Sequence, residues 1–126
     1  MRKLFLGLLF CSFLISCVKT DERVKHITVD DLKVILKKDK NIQLLDVRTS
    51  SETKNGIIFD AVQVNMISSD FESRAIEVLD KKKPVYVYCR SGGRSKIAAS
   101  VLVDNGFNVY NVKGGYKAWV KQSKVK

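Results

Sequence analysis

The sequence is short of the residues on which many enzyme centres are built. Its 126 residues include one histidine, one tryptophan, one proline and three cysteines. A lone histidine, His26, is more often a packing or surface residue than a catalytic one, so a Cys-His protease pair and a histidine-rich metal site are both excluded. No Cys-x-x-Cys occurs, which argues against a dithiol oxidoreductase. Nothing in the pattern calls for a metal or another cofactor. The apolar run from Leu4 to Ile15 is too short to span a bilayer, whose core needs about 20 residues. Internal repeats and low-complexity stretches are absent. Acid is in deficit, with 23 Lys and Arg against 13 Asp and Glu and a formal charge of +10.

What is present divides into a leader and one domain, since a chain of this length holds one domain and not two. Arg2 and Lys3 precede the apolar run, and small and polar residues follow it, in the order of a secretory signal. Leu14-Ile15-Ser16-Cys17 resembles the bacterial lipobox, in which the cysteine is lipid-modified and becomes the first residue of the mature chain. That resemblance implies a signal peptide over residues 1–16 and a tether over 17–23. It also implies an exported protein, lipid-anchored to a bacterial membrane through Cys17 on the periplasmic side or at the cell surface. Cys11 would leave with the signal and Cys17 would carry lipid, so Cys89 would remain the only free thiol, as suits a protein outside the cytoplasm that keeps one reactive sulfur. Losing Arg2 and Lys3 leaves a charge of +8. Nucleic acid is the usual partner of such a charge, but these lysines are scattered and have no aromatic interleaving. Small anions or anionic surfaces are the expected partners, with no nucleic acid.

From Val24 the pattern is α/β. Val24–Ile27 reads as an edge strand, and Thr28 with Asp31 as a capping box opening a helix to about Lys38. Ile42–Leu45 is an apolar run ending in Asp46, as expected of a parallel strand covered on both faces. Arg48 and Glu52, four apart, are the expected ion pair of the following turn. A strand over Val62–Val64 is followed by a helix from Ser69 to Asp80 with a Ser69/Glu72 capping box. Pro84 opens the strand to Tyr88. A helix over Lys96–Val103 presents Ile97, Ala98, Val101 and Leu102 and is ended by Gly106. Phe107–Val112 is the last strand, and Gly114-Gly115 open a short helix in which Trp119 is a core anchor. Lys121, Lys124 and Lys126 form a basic tail, with residues 123–126 beyond the domain.

The chemistry gathers at Cys89-Arg90-Ser91-Gly92-Gly93-Arg94-Ser95. A cysteine leaving a buried strand, followed by glycines, arginines and a helix, is a device for holding an anion. The backbone curls so that successive N–H groups point inward, and the helix N-terminus adds positive potential. The same groups stabilise a thiolate, so Cys89 is the candidate nucleophile. Functional residues of parallel sheets collect at strand C-terminal ends, where Asp46 also emerges, placed to hydrogen-bond the loop.

This loop resembles the active-site loop of the rhodanese-like sulfurtransferase family. Leu45-Asp46-Val47-Arg48 resembles the family's Asp-x-Arg segment, and Gly114-Gly115 with Trp119 its closing Gly-Gly-x-x-x-Trp, over a domain of residues 24–122. The resemblance implies a single domain with a mostly parallel five-stranded sheet flanked by helices on both faces. It also implies sulfur transfer from an anionic donor such as thiosulfate, through a Cys89 persulfide, to a thiol, protein or cyanide acceptor. Arg90, Ser91, Gly92, Gly93, Arg94 and Ser95 would then bind the donor, supported by Asp46, Arg48, Gly115 and Trp119. Gly56-Ile57-Ile58-Phe59-Asp60-Ala61 departs from the family's Gly-His-Ile-Pro-Gly-Ala, which bears on local geometry and a pocket wall. Two other readings stand beside this one. Related phosphatases and arsenate reductases place arginine six positions after cysteine, whereas Arg94 is five after Cys89, a tighter cradle suited to one sulfur atom. An inactive module that docks a partner is the other.

Overall fold

The computed structural model describes residues 20–124. The expected signal peptide, Cys17 and the last two residues of the tail lie outside them. Five strands, β1 (Lys25–Ile27), β2 (Gln43–Asp46), β3 (Val62–Gln63), β4 (Val85–Tyr88) and β5 (Val109–Val112), form one sheet in the order β1-β5-β4-β2-β3. Every pairing is parallel. The central strands β4 and β2 are apolar on both sides, and helices cover both faces. Leu45, Val85, Val87 and Val109 pack with Phe71 and Ala75 of α3 (Phe71–Val78) and with Ala98, Ala99 and Leu102 of α4 (Gly93–Asp104). Leu44, Tyr88 and Val112 pack with Val29, Leu32 and Leu36 of α1 (Val29–Lys38) and with Ala118 and Trp119 of α5 (Gly115–Ser123).

Local signals account for most boundaries. Thr28 and Asp31 form the expected reciprocal capping box at the start of α1. Thr49 and Glu52 form a second one, opening the short helix α2 (Ser50–Thr53) that the sequence reading passed over. The Ser69/Glu72 box does not form. α3 starts at Phe71 after Asp70, which makes no side-chain cap, and Glu72 instead accepts from the Asn105 amide across to α4. Helix α4 starts three residues earlier than Lys96, at Gly93, because Gly92 at φ 114° turns the chain directly into it. The buried face of α4 is Ser95, Ala98, Ala99 and Leu102, while Ile97 is 58% exposed. Lys121 belongs to α5 and not to a tail. The tether's end is also structured, with Asp21 and Asp104 both paired to Arg23.

The departing segment makes a tight turn in which the Ala61 N–H donates to the Ile58 carbonyl and Phe59 sits at φ 47°. Proline, held near φ −65°, could not take that corner. The Ile58 N–H donates to the buried Tyr88 hydroxyl at 2.9 Å, which ties this segment to the strand that delivers Cys89.

Candidate active site

Strands β2 and β4 are neighbours, with Asp46 opposite Tyr88, so the residues that follow them emerge side by side at one end of the sheet. Cys89 is the first residue past β4. The Gly92 N–H donates to its sulfur at 3.0 Å, and the thiol donates to Ser95 Oγ at 3.4 Å, which in turn donates to the Gly92 carbonyl at 3.1 Å. Because α4 begins at Gly93, Ser95 lies in its first turn and directs both its hydroxyl and its N–H at the sulfur. Burial works against ionisation of Cys89. The Ser95 hydroxyl and the N–H groups of Ser95, Gly92 and Ser91 outweigh it and hold the thiol below its ordinary range. Cys89 is only 1% exposed and lies within the buried cluster that also holds Val47, Ala98 and Ala99, so a donor must present a narrow end to reach its sulfur.

The loop is clamped from outside. The Tyr116 and Lys117 N–H groups, in the first turn of α5, donate to the carbonyls of Cys89 and Arg90 at 2.9 and 3.0 Å. Those helix donors have no partners within α5, so the loop serves as its cap. Gly115, at φ 53°, makes the approach possible: a Cβ there would collide with the Cys89 carbonyl and lie 2.9 Å from that of Arg90. Gly115 therefore supports the loop from behind. Trp119 sits farther back, half-buried among the α1 side chains, as the expected anchor.

The charged residues pair differently from the expectation. Arg48 does not meet Glu52; it is buried against Asp46, with its Nη2 2.7 Å from that carboxylate and a further bond to the Gly56 carbonyl. Asp46 also accepts the Arg48 N–H, so its oxygens serve Arg48 rather than the cysteine loop. The four-residue spacing misled because Arg48 lies before the cap of α2, outside any helix. Glu52 instead receives both terminal nitrogens of Arg94, each at 2.7 Å. This guanidinium and the bonds from Thr49 draw the Glu52 pKa down to about 2. Arg94 feels the charge of Cys89 but spends its hydrogen bonds on Glu52. Arg90 is exposed, and its guanidinium has no partner among the described residues.

Two contributors escaped the sequence reading. Tyr88 anchors the 57–60 segment, and the alternation of β4 was enough to put it on the α1 face. Tyr116 lays its ring 4.0 Å from the Arg48 guanidinium and donates its hydroxyl to the Asn55 carbonyl at 3.3 Å. No local signal pointed to that contact.

The Cys89 thiol thus lies below its ordinary range among the N–H groups of Ser91, Gly92 and Ser95, with Arg90 the loop guanidinium left unpaired among the described residues. The family model for the rhodanese-like domain matches residues 28–122. The chain belongs to the rhodanese-like domain family. It is 37% identical over 103 residues to YtwF of Bacillus subtilis, covering 82% of this chain and 97% of that one. It is 33% identical over 96 residues to the thiosulfate sulfurtransferase GlpE of Shewanella oneidensis, covering 75% and 91%. The crystal structure of a rhodanese-like domain protein from Staphylococcus aureus superposes with a TM-score of 0.69 at 37% identity, over 75% of this chain and 90% of that one. The five-stranded parallel sheet with helices on both faces is thus the rhodanese-like fold.

Proposed function

We propose that this rhodanese-like protein is a sulfurtransferase that carries sulfane sulfur on Cys89. The Cys89 thiolate attacks the outer sulfur of a donor such as thiosulfate. A new S–S bond forms on the enzyme, and sulfite leaves with the electron pair of the broken one. Arg90 draws the anion in, and the N–H groups of Ser91, Gly92 and Ser95 stabilise charge on the sulfurs. The observation that carries this reading is the cradle itself, in which the Gly92 N–H meets the Cys89 sulfur at 3.0 Å while the thiol is drawn below its ordinary pKa.

Intact-protein mass after thiosulfate treatment is the test. The expected result is a gain of one sulfur atom that cyanide removes and that Cys89→Ser never acquires. No gain from any sulfane donor overturns the reading. The 1% exposure of Cys89 and the altered 57–60 segment favour a competing reading, a module that docks a partner without turnover. It predicts that same absence of persulfide.

The proposal extends to export and lipid anchoring through Cys17, supported by the order of Arg2-Lys3, the apolar run and Leu14-Ile15-Ser16-Cys17. Labelled fatty acid should enter the wild-type protein in bacterial cells and not Cys17→Ala. Equal labelling, or none, rejects the anchor.

A further inference from the structure

A cavity of about 280 Å³ is bounded by the edge strand β1 and the outer side of α4, where Asp21, Val24, His26, Lys96, Ile97 and Ser100 line it. Ile97, 58% exposed and outside the core, supplies one apolar wall and Val24 another. At roughly 30 Å³ for a group the size of water, the space holds about nine non-hydrogen atoms.

The polar part of the lining leaves positive charge over. Asp21 is its single acid, and that carboxylate is paired with Arg23 at 2.8 Å. Lys96 has no carboxylate partner among the described residues. Burial, and then the charges of Lys96 and Lys113, push the His26 pKa down, with no carboxylate opposing them. His26 Nδ1 meets the side-chain amide of buried Asn111 at 3.2 Å. Accepting from that amide leaves the ring proton on Nε2, which is buried and has no partner among the described residues. Buried polar groups are normally satisfied, so an orphaned ring N–H and a free ammonium at an apolar cavity mark a place for a guest with an anionic head.

We propose that this cavity binds a small aliphatic monocarboxylate, its oxygens on Lys96 Nζ and His26 Nε2 and its tail between Val24 and Ile97. One charge and two donors suit a carboxylate, and the volume limits the tail to about six carbons. The site shares α4 with the cysteine cradle but none of its residues, and it stands whether or not Cys89 carries sulfur.

His26 is the only histidine of the chain, so its ring Cε1–H signal in a proton NMR spectrum reports on this cavity. Hexanoate is titrated into the full chain at physiological salt, where diffuse surface attraction is screened. 1-Hexanol, which lacks the charge, and acetate, which lacks the tail, are compared with it. Hexanoate should shift the His26 signal and the amides of Val24 and Ile97 saturably, with half-saturation at about 1 mM. Hexanol should bind about fivefold more weakly for want of charge-assisted bonds, and acetate at least about tenfold more weakly for want of buried methylenes. Bound hexanoate should also raise the His26 pKa, since an adjacent anion favours the charged imidazole. Lys96→Gln should bring hexanoate and hexanol within about twofold of each other, while Lys37→Gln on α1 should keep the preference. Equal binding of the two in the wild type overturns the proposal, as does a preference that survives Lys96→Gln or falls equally in Lys37→Gln. Absence of a saturable shift overturns it too, whether the cavity stays empty or residues 1–19 fill it. None of these measurements involves Cys89, so failure here leaves the sulfur-transfer reading untouched.

Discussion

Cys89 ends a buried strand, and burial alone would keep its thiol protonated. Its acidity therefore depends on individual donors, and Ser95 is the one that a single substitution can remove cleanly. In the thiol form the Ser95 hydroxyl accepts from sulfur and donates to the Gly92 carbonyl. Once sulfur is ionised, that hydroxyl can rotate and donate to it, exchanging a neutral hydrogen bond for a charge-assisted one. Ser95→Ala should move the midpoint of Cys89 alkylation against pH upward and slow the reaction at neutral pH by about tenfold. The plateau at high pH should be retained, because the sulfur itself has not moved. Iodoacetamide rates across the pH range check this. An unshifted midpoint would mean that the backbone N–H groups suffice without the hydroxyl.

At the level of elements, the loop and α5 are one unit, since the carbonyls of Cys89 and Arg90 cap the helix and Gly115 lets it approach. Gly115→Ala combines a left-handed backbone with a backbone clash that no side-chain rotation relieves. It should lower unfolding free energy by about 2–4 kcal/mol and disturb Cys89 reactivity at a distance from any substrate. Urea unfolding with parallel alkylation rates measures both, and a variant with wild-type values in each would show that the helix and loop move independently. The strands around this unit were legible because Leu44-Leu45 and Val85 to Tyr88 are apolar runs that only a covered parallel sheet accommodates. The start of α4 was not: a left-handed glycine cap offers no side-chain signal, and Gly92-Gly93 reads as loop. Its buried face was obscured because Ile97, Ala98, Ala99, Val101, Leu102 and Val103 put apolar groups almost all round the helix. The order of Asp46, Cys89 and Gly114-Gly115 was enough to point to the end of the sheet where the structure gathers them, though not to the Arg48 partner of Asp46. The partners of Arg48 and Arg94 were beyond reach, because they depend on which strand ends lie side by side.

Across the whole molecule, 13 acids face 23 lysines and arginines, and the carboxylates that matter are each committed to a guanidinium. Asp21 serves Arg23, Asp46 serves Arg48, and Glu52 serves Arg94, linking α2 to the cysteine loop. Acid removes the Asp21 and Glu52 partners while the positive charge stays, so the folded state loses attraction and gains self-repulsion together. Glu52 is lowered from an ordinary 4.5 to about 2, chiefly by Arg94. A carboxyl depressed in the folded state contributes stability that is complete above its unfolded pKa and is lost as pH falls through the folded one. The Glu52 contribution should thus be whole at neutral pH and disappear between about 4.5 and about 2. Glu52→Gln removes the titrating group, so its melting temperature should be lower than wild type at pH 7, and the gap should narrow as pH falls through that window. Melting curves at closely spaced pH values decide the matter. A gap that stays constant down to pH 2 would mean that Glu52 stabilises the fold through the cap on α2 alone, and that Arg94 holds its place in the loop without it.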